Sequence, residues 1–305
     1  MSRVPPSGPP GPCLATPEGS GGGTPRQAPP GLHVVAVPIG NLADITQRAL
    51  DVLAGVDAVA CEDTRVTGKL LAAHAVRARL ISHHEHNAAQ RRPELLDRLA
   101  AGAAIALVAD AGTPLISDPG YKLVRAAQDA GLPVHAVPGP TAAVAALSVA
   151  GLPTGRFLFQ GFPPAKQGAR REVLAELASV PATLVFYESP HRLTASLADM
   201  AAVLGAEREA AVVRELTKRF EETRRDTLSN LETRQAADPA RGEVVVVVAP
   251  PEPAGPADAE TVDARLRQAL RTQRVRDAAR TVAAATGWSR KAVYTRALAL
   301  KDGGA

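Results

Sequence analysis

Cysteine is nearly absent from this 305-residue chain. The two present, Cys13 and Cys61, can form neither a disulfide framework nor a zinc cluster, which points to a reducing, cytoplasmic setting. Aromatic residues are also few: five Phe, three Tyr and one Trp, five of the nine lying between Phe157 and Tyr187. That scarcity argues against a single-strand binder built on rows of stacking rings. The apolar runs, such as Val244 to Ala249, fall far short of the ~20 residues that span a bilayer, so no membrane partner is expected. The N-terminus lacks the basic start and apolar stretch of a secretory signal. No G-x-G-x-x-G opens a helix after the first apolar run, no G-x-x-x-x-G-K-[ST] occurs, and no G-x-S-x-G occurs. A dinucleotide fingerprint, a P-loop and a hydrolase elbow are thereby excluded.

The chain is 46% hydrophobic and 22% charged, an ordinary balance for a globular protein, and its length suits two domains. The net charge of +4 is unevenly placed. Residues 254–305 hold ten Lys/Arg against five Asp/Glu, whereas the first 253 residues hold 25 against 26. The basic excess therefore sits in the tail, where it attracts nucleic acid in a salt-dependent way.

Residues 1–30 contain nine prolines and six glycines and read as a disordered tail. From Leu32 the pattern changes. Strand-like runs at Leu32–Val37, Ala58–Cys61, Leu80–His84, Ile105–Ala109 and Val134–Val137 alternate with Ala/Leu-rich stretches of helical spacing. That alternation predicts an α/β domain over 31–152 with a mostly parallel sheet. A helix over Thr141–Ala150 ends it. A second α/β domain follows over 153–250, with strands at Phe157–Gln160, Thr183–Tyr187, Ala210–Arg214 and Val244–Val248, and helices near Ala169–Ala178 and His191–Leu204. Pro250–Pro256 reads as a linker, and 251–305 as linker plus helical tail. Within it, Arg276–Thr286, the turn Gly287-Trp288-Ser289 and Arg290–Leu300 have a helix-turn-helix pattern, with Ser289 as the second helix's N-cap.

The recurring feature is how strands end: Val37-Pro38-Ile39-Gly40-Asn41, Asp110-Ala111-Gly112-Thr113-Pro114, Pro138-Gly139-Pro140-Thr141 and Tyr187-Glu188-Ser189-Pro190. In open parallel sheets, ligands bind beyond the carboxyl ends of strands, where such loops collect. Within these stretches Ser189-Pro190 and Asp118-Pro119 read as an N-cap followed by an N1 proline. Two polar clusters stand apart. Cys61-Glu62-Asp63-Thr64-Arg65 closes a strand, with Asp63 or Thr64 as cap and Glu62 beside Arg65 as a candidate site. In Ser82-His83-His84-Glu85-His86-Asn87, an extended backbone would put His84 and His86 on one face. No third and fourth ligand accompanies them at zinc spacing, so no metal is expected. A neutral histidine suits hydrogen bonding to a ribose or accepting a proton. Arg214-Glu215-Leu216-Thr217-Lys218-Arg219 reads either as a solvated charged turn or as a substrate contact.

These stretches, with Ile116-Ser117-Asp118-Pro119-Gly120 and Phe186-Tyr187-Glu188-Ser189-Pro190-His191-Arg192, closely resemble the bacterial small-subunit rRNA (cytidine-2′-O)-methyltransferase I family of the tetrapyrrole-methylase superfamily, from about Leu32 to Ala249. Two positions depart from the pattern: Val37 stands where Thr is expected and His83 where an aromatic is expected. The resemblance implies two α/β domains with an S-adenosylmethionine cleft between them, a homodimer, and methylation of a cytidine ribose in the decoding region of 16S rRNA within the 30S subunit. It further implies cofactor contacts at Pro38, Gly40, Asp110, Gly112, Thr113, Thr141, Ala142 and Tyr187. For the chemistry, Glu62, His84 or Glu188 is expected to assist the proton. Arg65, His86, Asn87, Arg214 and Lys218 are expected to contact the RNA. Two rival readings are a tetrapyrrole-precursor methyltransferase and a ligand-sensing nucleic-acid-binding regulator. The His-Glu-His-Asn and Arg-Glu-Leu-Thr-Lys stretches and the basic tail argue against the first.

Overall fold

The computed structural model describes residues 27–118, 120–252 and 257–302. Most of the expected disordered tail (1–30) and part of the expected linker lie outside these. Residues 27–30 are held in place: Ala28 is buried and its N–H donates to the Gly55 carbonyl at 2.9 Å. The chain forms two compact units, one running to Val37 and resuming over Ile45–Gly139, the other comprising Pro38–Asp44 and the residues from Pro140 onward.

The first unit is built on five strands, β1 (Gly31–Val35), β2 (Ala58–Cys61), β3 (Leu80–Ser82), β4 (Ala104–Val108) and β5 (Val134–Val137), in the order β3-β2-β4-β1-β5. All pair in parallel. The central strands β2 and β4 are buried at every residue, as expected of a sheet covered on both faces. The crossovers are α1 (Gln47–Gly55), α2 (Thr64–Ala73), α3 (Ala88–Ala100) and α4 (Tyr121–Asp129). On one face α1 and α2 bury Leu53, Leu70 and Leu71 with Val35, Val59 and Val108. On the other, α3 and α4 bury Leu95, Leu99, Leu123 and Ala127 with Leu32, Ile105 and Leu107. Because every strand runs the same way, all five carboxyl ends open on one edge.

The second unit has a mixed sheet of β6 (Phe157–Gly161), β7 (Thr183–Glu188), β8 (Glu209–Arg214), β9 (Glu222–Thr227) and β10 (Val244–Val248), ordered β6-β7-β10-β8-β9. Only β6 and β7 are parallel. Its helices are α5 (Ala142–Val149), α6 (Gln167–Leu177), α7 (Leu193–Leu204) and α8 (Leu228–Ala237). The sequence reading placed α5's segment before its boundary at residue 152; here α5 packs Ala143, Ala146 and Leu147 against Val185, Val213, Val245 and Val247 of the second sheet. Ile39 joins the same cluster. In the α6–α7 pair, buried Asp199 receives Arg170 Nη2 at 2.5 Å and Arg171 Nε at 2.6 Å.

The tail comprises α9 (Ala259–Leu270), α10 (Val275–Thr286) and α11 (Arg290–Asp302) around Val262, Leu266, Ala279, Val282, Val293 and Ala297. Gly287 closes α10 in the left-handed region at φ 69°, and Ser289 Oγ accepts the Ala292 N–H at 3.2 Å, the expected cap.

Candidate functional site

The predicted site residues fall into two sets, one on each unit. On the first unit they gather at the carboxyl edge of the parallel sheet. Asp63 caps α2 by accepting the Arg65 N–H at 2.7 Å, and its own N–H donates to Asp110 Oδ1 at 3.0 Å, tying the β2 tip to the β4 tip. Just beyond, Val37 and Gly112 exchange backbone hydrogen bonds at 2.9 and 3.1 Å, so the β1 exit is fastened to the loop after β4. Gly112 adopts φ 75°, where a side chain would be strained. Arg65 is 86% exposed and pairs with Asp63 at 2.6 Å, so its guanidinium faces solvent.

The electrostatics of this edge are acidic. Burial raises the Glu62 carboxyl above its ordinary range, and nearby Asp110 adds to the rise while His84 opposes it. Asp118 is raised further, to about 6, by burial first and then by the Glu62 and Asp110 charges. Asp63 goes the other way, to about 2, because it accepts from Arg65. Sequence reasoning took Asp118 for a helix cap. The helix instead begins at Tyr121 with Gly120 at the N-cap position, and Asp118 belongs to the carboxylate cluster. No local signal distinguished the two roles, because a two-residue shift of a helix start leaves no trace in composition.

Beyond β3 the chain turns rather than staying extended, so the alternating-face condition for His84 and His86 is not met. The turn nonetheless keeps the two rings close, with centroids 6.0 Å apart. Asn87 builds it: its Oδ1 accepts the His84 N–H at 2.9 Å and its Nδ2 donates to the Ser82 carbonyl at 3.2 Å. Both ends of the Asn87 amide are therefore engaged within the loop. His83 is buried, and burial lowers its pKa, keeping the ring neutral.

The second set lies on the other unit. At the start of α5, Thr141 occupies the N-cap position without a side-chain cap bond, and the Tyr187 hydroxyl accepts the Ala143 N–H at 3.2 Å instead. Tyr187 is set by edge-on contacts with Phe159 and Phe162, centroids 4.8 and 5.5 Å away. Ala142 packs beside it against the sheet cluster. Pro38 and Gly40 flank buried Ile39. A Cβ on Gly40 would stand 2.5 Å from Lys218 Cε and 2.7 Å from its Cγ, so the backbone there lies directly on the lysine stem. Lys218 Nζ pairs with Glu215 at 2.9 Å and Glu243 at 3.0 Å, and Glu215 accepts the Glu243 N–H as well. Those bonds hold the Glu215 carboxyl below its ordinary range. Glu215 and Thr217 both have positive φ, 50° and 64°. This segment is a tight, internally bonded turn, and sequence reasoning missed Glu243 as its partner because 28 residues separate it from Glu215. Arg214 Nε lies 2.7 Å from Glu222, at an angle that makes an ion pair but no hydrogen bond.

Glu188 holds the corner between β7 and α7. Its side chain is fully buried; Oε1 accepts the Ser189 N–H at 2.7 Å and pairs with Arg192 at 2.7 Å, and Oε2 accepts the Ser196 hydroxyl. A proton-accepting role, allowed by the sequence, has no exposed oxygen to act through. Ser189 is not the cap expected of it either: α7 starts at Leu193, and the Ser189 carbonyl accepts the Arg192 N–H in a preceding turn.

A family model described as Tetrapyrrole (Corrin/Porphyrin) Methylases matches residues 31–232, and one described as RsmI C-terminal HTH domain matches residues 256–301. Among solved structures, the cobalamin biosynthetic enzyme cobalt precorrin-4 methyltransferase superposes with a TM-score of 0.54 at 19% identity, covering 72% of this chain and 94% of that one. A uroporphyrin-III C-methyltransferase from Thermus thermophilus, solved with S-adenosylhomocysteine, gives 0.52 at 18%, covering 72% and 96%. At such identities the likeness concerns the fold. Sequence relatives are nearer. The ribosomal RNA small subunit methyltransferase I of Mesorhizobium japonicum is 50% identical over 278 residues, 91% of this chain and 94% of the relative. The protein of that name from Vibrio cholerae is 54% identical over 221 residues, 72% and 77% of the two chains. The chain belongs to the tetrapyrrole methylase family and, within it, to the ribosomal RNA small subunit methyltransferase I family.

Proposed function

We propose that this protein transfers a methyl group from S-adenosylmethionine to the 2′-oxygen of a cytidine ribose in the decoding region of 16S rRNA, acting on the 30S subunit as a cytoplasmic homodimer. The observation that carries the reading is 50% identity sustained over 91% of the chain, with the helical tail matched by a family model of its own. The strand tips suit such a cofactor. Asp110 presents an exposed carboxylate, buried Gly112 at positive φ shapes the loop beside it, and the first turn of α5 carries N–H groups beside the Tyr187 hydroxyl. In this reading Asp110, Gly112, Thr113, Pro38, Gly40, Thr141, Ala142 and Tyr187 are the cofactor-contacting residues that the family pattern implies.

S-adenosylmethionine supplies a methyl group already activated on a sulfonium. The chain's own residues must then align the ribose hydroxyl and help remove one proton. Alignment of two reactants is worth up to ~7–11 kcal/mol, and a general base adds about 10²–10⁴-fold. Positioning is the larger effect. Glu62 is the proton acceptor in this reading: its raised carboxyl pKa makes it a stronger base than an ordinary glutamate, and His84 stands close enough to influence its charge. Arg65, His86, Arg214 and Lys218 contact RNA, and Asn87 sets the loop carrying His84 and His86. The exposed Arg276, Arg280, Arg290 and Lys291 of α10 and α11 supply the salt-dependent grip on the ribosomal particle.

The deciding experiment incubates the protein with radiolabelled S-adenosylmethionine and 30S subunits, then locates the label. Label on a cytidine ribose of 16S rRNA is the expected result. Label only in an added tetrapyrrole precursor, or no transfer, overturns the proposal. Removal of residues 254–305 is expected to weaken 30S binding; unchanged binding at low and moderate salt would defeat that part.

A further inference from the structure

On the first unit, the turn after β3, the first residues of α3 and the start of α4 enclose a pocket of about 370 Å³, within the range of small-molecule sites. His83 lines it. The residue is 2% exposed, yet among the described residues neither ring nitrogen has a hydrogen-bond partner. Buried polar groups are almost always paired, because leaving one unpaired costs much of its desolvation free energy. A neutral imidazole offers one donor and one acceptor, so the partner it suits presents both.

The remaining wall is equally specific. Arg92 and Lys122 bring positive charge, and the buried Arg92 Nε has no partner among the described residues. The N-terminus of α4 opens here with Gly120 at its cap position and no side-chain cap, leaving N–H groups of the kind that bind phosphate. Tyr121, one of only nine aromatic residues in the chain, is 63% exposed at the pocket. Glu85 and Asp118 complete the wall. Cations alone would suit any anion. Cations, an exposed ring, a neutral imidazole and carboxylates together suit a nucleotide, since RNA is read by stacking unpaired bases on aromatic rings and hydrogen-bonding their edges.

We infer that this pocket takes an unpaired cytidine nucleotide of the RNA substrate, its phosphate held by Arg92, Lys122 and the α4 N-terminus, its base stacked on Tyr121 and read by His83, Glu85 and Asp118. Cytosine is favoured over uracil because its exocyclic amine donates to carboxylates, whereas uracil turns a carbonyl oxygen toward them; among the amine-bearing bases, cytosine is the one that the function proposed above supplies. The assignment rests on the rRNA-methylating function proposed above and adds a base-specific subsite to it. It also gives a role to His83, the position that departs from the family's aromatic.

The test titrates the full-length protein with cytidine 5′-monophosphate and with uridine 5′-monophosphate, following the His83 and Tyr121 ring resonances by NMR. In parallel it measures kcat and KM on 30S subunits and calorimetric binding of S-adenosylhomocysteine. Cytidine monophosphate is expected to shift both rings and to bind about tenfold more tightly than the uridine nucleotide. His83→Phe and Arg92→Ala should each weaken it about tenfold and raise KM for 30S, with S-adenosylhomocysteine binding retained. Tyr121→Ala, at an exposed position that does not threaten the fold, carries the same expectation. Equal shifts with both nucleotides, shifts confined to other residues, or unchanged nucleotide binding and KM in Tyr121→Ala and Arg92→Ala would overturn the subsite. A wild-type protein that labels no rRNA defeats the proposed function instead, and the nucleotide titration then still decides the pocket.

Discussion

The Tyr187 hydroxyl accepts the Ala143 N–H at 3.2 Å, so a residue at the end of one strand caps the first turn of a helix through a bond that spans 44 positions. The helix lacks a cap from Thr141, its own N-cap residue. Tyr187→Phe keeps the ring contacts with Phe159 and Phe162 and removes the hydroxyl that accepts the Ala143 N–H. Urea unfolding should then show a loss of about 1 kcal/mol, the usual worth of an N-cap. In the proposed function, affinity for S-adenosylhomocysteine should fall with it. An unchanged midpoint would show that the Ala143 N–H finds another partner.

Glu62→Gln separates positioning from proton removal. The amide keeps the volume and loses the base, so single-turnover methylation of 30S subunits should slow by about 10²–10⁴-fold. Binding of S-adenosylhomocysteine should be unaffected. In the wild type the rate should fall with decreasing pH through a midpoint above that of an ordinary glutamate, because burial and Asp110 raise this carboxyl.

Asp118 links the same cluster to stability. Its pKa rises from 3.8 unfolded to about 6 in the fold, so between these values the native state binds more protons and stability declines as pH increases. Asp118→Asn abolishes that decline. Thermal unfolding should show the variant more stable than wild type above pH 6, with the difference vanishing toward pH 4. An equal gain at both pH values would refute the linkage.

Gly40 and Lys218 form the last testable pair. Gly40→Ala forces a methyl onto the lysine stem, where the contact would be 2.5 Å. The expected cost is about 1–3 kcal/mol by urea denaturation. Lys218→Ala in the same chain removes the obstacle, so the double variant should cost less than the sum of the singles. Strict additivity would place the strain in the Gly40 backbone.

Much of this architecture was legible because burial repeats itself in sequence. Ala58–Cys61, Val134–Val137 and Val244–Val248 were read with their observed bounds, as short β-rich runs bordered by turn residues. The strand Glu222–Thr227 was not read, and its sequence, ETRRDT, shows why. It sits at the rim of the second sheet and pairs through its backbone with β8, while Arg224 answers Glu222 and Asp238 along its surface. No apolar alternation remains to mark it. The helix that follows it, Leu228–Ala237, was missed with it. Of the candidate site, the strand-end loops were visible because glycine and proline mark them. The roles of Asp118, Glu188 and Glu243 were not, since each depends on a neighbour distant in the chain or on where a helix begins.

The Val37–Gly112 bridge bears on the first of the two departures from the family pattern. The Val37–Gly112 bridge runs through main-chain atoms, while the Val37 side chain turns into the apolar cluster of α1 and α2. A hydroxyl at that position is therefore not required to fix the loop. Its loss exchanges a polar atom for a methyl group inside an apolar cluster, and in this chain the β1 exit is held by its backbone bonds to Gly112.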